Sequence, residues 1–272
     1  MTAIVQENEW SESVQDAEIR KLVELEDRNW WYHERRTILS QELDRIGTPG
    51  FALDIGAAGG GNTRVLRARG WRSVALEYGA EGAGLAKGRG LDVIRGDARR
   101  LPLSTASADL VIALDVLEHI DDDAQAVAEI HRVLRPGGTL FATVPCDMRL
   151  WSSHDVALGH VRRYTRESLT AVVSGSGLHI DSMWSWNVLL RPVVALRRRK
   201  MSDSSEREGE ELQSEMEDLP RLVNASLKAI VAVERRLPVK HLPGVSLMVR
   251  ATRATAPADS VRDGLGSADA TR

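Results

Sequence analysis

Leu53-Asp54-Ile55-Gly56-Ala57-Ala58-Gly59-Gly60-Gly61-Asn62 decides the fold. Phe51–Ile55 is a short apolar run that reads as a buried strand, and Gly59–Arg69 reads as a glycine-rich turn entering a helix. Glycines there let the backbone approach a ligand closely, and the first N–H groups of the helix are open to an anionic group. Glu77 stands at the tip of the next apolar run, Ser73–Leu76, where an acid commonly takes the two hydroxyls of a ribose. Together these features point to a nucleoside-containing ligand.

The same alternation continues outward. Ala80–Gly88 reads as a helix, Leu91–Ile94 and Asp109–Leu114 as strands, Asp121–Arg135 as a helix stopped by Arg135-Pro136-Gly137-Gly138, and Thr139–Val144 as a fifth strand. Asp109–Leu114 is nearly all apolar, as a parallel strand covered on both faces should be. Such βα alternation predicts an open, mostly parallel sheet with helices on both faces. Further on, Thr165–Gly175 reads as a helix, Leu178–Trp184 as a strand, Leu219–Leu237 as an amphipathic helix with Leu222, Val223, Leu227, Ile230 and Val231 on one stripe, and Val245–Ala251 as a last strand. Ser202–Asp218 is acidic and Thr252–Arg272 polar, so both are expected to be mobile. Before the sheet, Ile19, Leu22, Val23 and Leu25 suggest a short helix, followed by Trp30, Trp31, Tyr32, His33, Arg35 and Arg36. These aromatics either pack that region onto the sheet or lid a ligand site.

The chain has 272 residues, a formal net charge of −3, 43% hydrophobic and 28% charged residues. That composition suits a globular protein and gives no electrostatic case for nucleic-acid binding. One cysteine, Cys146, excludes an internal disulfide framework and a cysteine-based zinc cluster. Met1–Trp10 lacks the basic start and apolar core of a secretory signal, and no run is apolar enough to span a membrane, so a cytoplasmic location is expected. Of 36 basic residues only Lys21, Lys87, Lys200, Lys228 and Lys240 are lysine, which reads as a coding preference.

Three features separate the possible nucleoside ligands. Asp54 directly precedes the glycines, where a carboxylate reaches a ligand ammonium but repels a pyrophosphate. Gly96-Asp97-Ala98 follows the third strand and offers an acid and an N–H to an adenine edge. Leu114-Asp115-Val116-Leu117-Glu118-His119 puts polar groups at the carboxyl edge of the fourth strand, where open α/β sheets bind ligands.

With these on the page the sequence resembles the class I S-adenosylmethionine-dependent methyltransferases, in particular the methyltransferase type 11 group. The matching stretches run from Phe51 to Val144: LDIGAAGGGN, the Glu77 strand end, GDARRLPL, ADLVIALDVLEHI and RVLRPGGTLFATVP. WWYHERRTIL, RLWSSHDVALGHVRRYTRESL and LPGVSLMVR look more loosely like a bacterial subgroup linked to glycan and secondary-metabolite modification. The resemblance implies a single Rossmann-like domain whose last strand is antiparallel. It divides the chain into a helical cap (1–50), a cofactor-binding core (51–184), a helical and acidic insertion and cap (185–240), a closing strand (241–252) and a disordered tail (253–272).

The resemblance also implies roles. Gly56, Ala58 and Gly60 would line the methionine part of S-adenosylmethionine, and Asp54 would help hold its amino group. Glu77 would bind the ribose, Tyr78 would pack beside the adenine, and Asp97 and Ala98 would read its edge. Asp115, Val116 and His119 would face the sulfonium. The family's loop alternates glycines, and here Ala58 replaces the middle one; it is expected at negative φ. Candidate bases for a hydroxyl acceptor are His154 above all, His119 and His160. Trp31, Tyr32, Asp155, Arg162, Arg163 and Tyr164 are candidate acceptor contacts, with one of the two arginines steering an anionic group. His154, Asp155 and His160 fit no strong zinc pattern, and no metal is expected.

The favoured function is methyl transfer from S-adenosylmethionine, leaving S-adenosylhomocysteine, to the hydroxyl of a small molecule or glycan. A carboxylate or peptide acceptor, a non-catalytic cofactor-binding regulator and a nicotinamide-dependent oxidoreductase are the rivals. Trp184–Lys200, apolar and then basic, either caps the cleft or touches a membrane; Arg191 and Pro192 interrupt it and favour the cap.

Overall fold

A computed structural model describes residues 16, 17, 19–205 and 219–255. Its centre is a seven-stranded sheet in the order β3-β2-β1-β4-β5-β7-β6. The strands are β1 (Phe51–Ile55), β2 (Arg72–Glu77), β3 (Val93–Arg95), β4 (Ala108–Leu114), β5 (Leu134–Pro145), β6 (Leu178–Trp186) and β7 (Ser246–Arg253). β1 to β5 are parallel neighbours, whereas β7 runs antiparallel between β5 and β6. The chain leaves β1 toward β2 on one side and later enters β4 on the other. Their shared carboxyl edge is therefore the crevice where such sheets bind ligands.

Both faces of β1 and β4 are covered, which explains why each is apolar but for a single aspartate, Asp54 and Asp109. Alternation sends Leu53, Ile55, Val111 and Ala113 into one core, where they meet Ile130 and Val133 of the helix Asp123–Val133 and Leu169 of the helix Arg166–Gly175. Ala52, Leu110 and Ile112 enter the other, with Ile38, Leu39 and Leu43 of α1 (Trp30–Ile46) and Leu66 of α2 (Gly61–Ala68). Asn29 starts α1 by accepting the Trp31 N–H at 2.9 Å, and Gly47 stops it.

Several expectations change. β5 begins at Leu134, immediately after the helix. Arg135-Pro136-Gly137-Gly138 is an irregularity inside the strand, with Gly137 at φ 81, not a linker before it. β7 runs through Thr252 and Arg253, because Arg253 donates to the carbonyls of His131, Arg132 and Leu134; residues 256–272 lie outside the described residues. The Trp184–Lys200 segment becomes a strand end and a helix, Arg191–Ser205. Pro192 sits in its first turn, where a missing N–H costs nothing, so it does not interrupt the helix. Ser202–Ser205 belong to that helix, and the rest of the acidic segment, residues 206–218, lies outside the described residues. On the helix Arg221–Glu234 the apolar stripe is largely open: Val231 is buried, but Leu222 is 83% exposed and Val223 and Ile230 are also exposed.

Leu110 has no exposure and its side chain belongs to the α1-facing core. Leu110→Ala should cost about 2–5 kcal/mol, read as a lower urea midpoint at unchanged slope.

Candidate active site

Four elements converge on the carboxyl edge of β1 and β4. From β1 comes Asp54, buried to 1% exposure. Its Oδ2 accepts a hydrogen bond from the Thr63 hydroxyl at 2.6 Å, while its Oδ1 is buried without a partner. Burial raises its pKa to about 7, only partly opposed by the Thr63 bond and by Arg35.

The turn after β1 wraps tightly. Gly56 has φ 65, and a Cβ there would lie 2.5 Å from Val116 Cγ2, so the turn and the segment after β4 touch. Ala58 is at φ 46, not the expected negative value. Its N–H is turned onto Glu77 Oε2 at 2.6 Å, and that bond holds an alanine in the left-handed region. At Gly59, Gly60 and Gly61 a Cβ would meet Val23, Leu91 and Glu26. The chain's own side chains set the glycine requirement at these three positions.

Glu77 is buried, and its other oxygen accepts from the N–H groups of Tyr78 and Gly79 at 3.0 and 3.2 Å. Oε2, with its single bond from Ala58, retains a lone pair for a further donor. Tyr78 is 72% exposed and packs beside nothing apolar enough to cover it. Asp97 caps the turn Ala98–Arg100, accepting from the Arg99 N–H at 2.8 Å and from its guanidinium at 2.7 Å; those bonds hold its carboxyl below the usual range. Asp97 thus serves Arg99, and only Ala98 beside it is buried.

From β4 comes Asp115, at φ 59. Its Oδ2 accepts from Arg35 Nη1 at 2.6 Å, a contact the sequence reading missed. Arg35 lies on α1, one turn after Trp31, with its guanidinium 4.4 Å from the Trp31 ring centroid and 5.4 Å from that of Tyr32. Trp31 in turn packs on Trp186 at 5.5 Å, and Tyr32 is buried. The aromatic cluster packs α1 and aims a cation at the cleft. Trp31 and Arg35 share a helix face at four-residue spacing, which was the available sequence signal.

The far side is built around Asp155, which has no exposure. It accepts from the Ser152 N–H at 3.0 Å, His160 Nδ1 at 2.8 Å, Arg163 Nε at 2.8 Å and Arg198 Nη1 at 3.2 Å. Burial works to raise its pKa, but the His160 bond and the two arginines hold it well below the usual range. Arg163 is thereby consumed inside the protein and also donates to the Cys146 carbonyl. Arg162 is anchored on the Asp121 carbonyl and Asp123, so neither arginine is free to steer an anion. Tyr164 is a core residue whose hydroxyl donates to Asp123 Oδ2 at 2.6 Å; burial and Asp123 raise its pKa. His154 is neutral, its pKa pressed to about 3 by burial and by Arg198, which makes it a weak proton acceptor. His119 and His160 meet edge to face at 4.7 Å, beside the buried Glu118.

The family model described as a methyltransferase domain matches residues 53–142. A probable S-adenosylmethionine-dependent methyltransferase of Mycolicibacterium smegmatis is 28% identical over 166 residues, 60% of this chain and 64% of that relative. The demethylmenaquinone methyltransferase of Thermobifida fusca is 31% identical over 176 residues, 54% of this chain and 75% of its own length. The chain belongs to the S-adenosylmethionine-dependent methyltransferases. In fold it is similar to a solved methyltransferase in complex with the Haloferax volcanii Trm112 activator: TM-score 0.59, 19% identity, covering 89% of this chain and 97% of that one. The chain spans less than two thirds of the length of the first curated relatives. Among the described residues no helix is long and apolar enough to cross a membrane.

Two outcomes test the site as built. Folding favours protonated Asp54, whose pKa is about 7 in the fold and about 4 in an unfolded chain. Its contribution to stability is full below about pH 4 and lost as pH rises through about 7. The melting temperature of the wild type should therefore fall relative to Asp54→Asn between these limits; parallel curves would refute the raised pKa. Asp155→Ala strips two buried arginines of their shared carboxylate and should cost about 3–5 kcal/mol in denaturant unfolding.

Proposed function

We propose that the protein transfers a methyl group from S-adenosylmethionine to a hydroxyl of a small-molecule acceptor. The observation that carries this is an orphaned buried carboxylate oxygen, Asp54 Oδ1, together with the Arg35 guanidinium, whose Nη1 is held by Asp115 while its buried Nε has no partner. An acid poised to ionise near pH 7 and a cation in one cleft fit the ammonium and carboxylate of an amino acid, which is the methionine end of this donor. An NAD pyrophosphate would be repelled by Asp54.

Glu77, already gripping the turn through Ala58, retains acceptor capacity for ribose hydroxyls, and Gly56 and Val116 form the wall near the transferred methyl. When bound, S-adenosylmethionine supplies an electrophilic methyl on a neutral leaving group, so the protein need not donate a proton to it. What the residues do is hold the two reactants in line, which provides much of the rate. Asp115 fixes Arg35 on one side, and His119 and His160 present ring nitrogens on the other, where an acceptor hydroxyl would turn. The reading is supported by relatives named as ubiquinone biosynthesis O-methyltransferases, one from Hahella chejuensis 30% identical over 147 residues. Arg162 and Arg163 are both engaged inside the fold, so the reading favours an uncharged acceptor over an anionic one.

Calorimetry with S-adenosylhomocysteine tests the cofactor part. Arg35→Ala and Asp54→Ala should each weaken binding at least about 30-fold, the floor for truncating one side of a buried charge contact. Unchanged affinity in both would remove the basis of the proposal. Transfer of labelled methyl to phenolic and sugar hydroxyls, compared with carboxylic acids, tests the acceptor; label appearing only on carboxylates would overturn the hydroxyl assignment.

A further inference from the structure

Glu118 is fully buried, and neither of its side-chain oxygens has a hydrogen-bond partner in another residue. A carboxylate in that position is costly unless something positive reaches it. The nearby cations are already matched: Arg35 by Asp115, and Arg163 by Asp155. What faces Glu118 is imidazole. His160 Nε2 lies 3.9 Å from Glu118 Oε1, and one donor atom each from Glu118, His119 and His160 lie within 4.8 Å of one another.

We propose that Glu118, His119 and His160 bind a divalent first-row transition ion at the acceptor end of the cleft. Two imidazoles and one carboxylate are a donor set suited to such ions, and they leave positions for outside oxygen ligands. The outer contacts fit as well. His160 presents Nε2 to the cluster because Nδ1 is held by Asp155 at 2.8 Å, the carboxylate–histidine arrangement that fixes a metal-binding ring. His119 is hydrogen-bonded by the main chain at Leu158 and Gly159, and the Val161 N–H donates to the Glu118 carbonyl at 2.8 Å, so one loop wraps the cluster.

Bond lengths of about 2.1 Å bring donor atoms to roughly 3 Å from one another, so the cluster must tighten. His119 is the solvent-facing member, and Glu118 and His160 lie beneath it. The ion would enter past His119. It would then offer its open positions to an acceptor oxygen, so this clause of the proposal rests on methyl transfer to a hydroxyl.

The test uses the full chain freed of metal by a chelator and titrated with Co2+, followed by visible absorption and calorimetry. The wild type should take up one equivalent with new absorption bands. Glu118→Gln and His119→Ala should each lower Co2+ affinity at least about 10-fold with melting temperature unchanged, and Glu118→Gln should leave S-adenosylhomocysteine binding unchanged. Glu118→Gln keeps the buried volume, and His119 is at the surface, so both variants are expected to fold. No saturable uptake by the wild type, or equal uptake by both variants, overturns the site. S-adenosylhomocysteine titrated into the same samples separates the two claims: cobalt bound without it upholds the ion site and sinks the methyl-donor reading, whereas the reverse sinks the ion site alone.

Discussion

A carboxylate taken out of water needs a counter-charge, and this constraint fastens the flanking helices to the sheet. Glu34 of α1 pairs with Arg235, at the end of the helix Arg221–Glu234. Glu42 pairs with Arg250 of β7 at 2.8 Å, and Glu26 with Arg36 and Arg89. Asp155 gathers Arg163 and Arg198 from two different segments. Every one of these partners is arginine, whose planar, always-charged fork suits buried pairing better than lysine. A bias that reads as a coding preference therefore has structural work in this fold.

Against that background Asp54 Oδ1 and Glu118 stand out as buried carboxylate groups whose oxygens no residue satisfies. Asp54 lies on β1 and Glu118 in the short turn after β4. Their placement follows from topology. The split between β1 and β4 opens the edge, and each of these two segments brings one acid to its carboxyl side. Between them Arg35, delivered by α1 over a Trp31–Trp186 stack, neutralises Asp115.

Most of the fold was legible because its signals are local. β1 and β4 are apolar but for one aspartate each, the helix Ala80–Gly88 was read to the residue, and the antiparallel placement of the last strand followed from the family resemblance. The failures came where distant packing decides. The stripe on Arg221–Glu234 has helical period yet meets little of the core, because periodicity says which residues share a face and not what covers it. Pro192 reads as a break but begins a helix. In the site, Asp54, Glu77 and Asp115 were found as acids at strand tips, whereas Arg35 was lost inside an aromatic run. Arg162, Arg163 and Tyr164 were read as acceptor contacts because nothing local reveals that Asp121, Asp123 and Asp155 already claim them. Glu118 was passed over although it follows the buried Leu117 directly, an acid set in an apolar run.

The position of β7 bears on how the chain is made. β6 borders only β7, and β7 is the link between it and β5. During synthesis Leu178–Trp186 leaves the ribosome long before Ser246–Arg253, and until then its edge has no neighbour to zip against. The five parallel strands with their crevice can condense first, while the pairing edge of β6 must wait for late residues. That interval is when a chaperone would have most to shield.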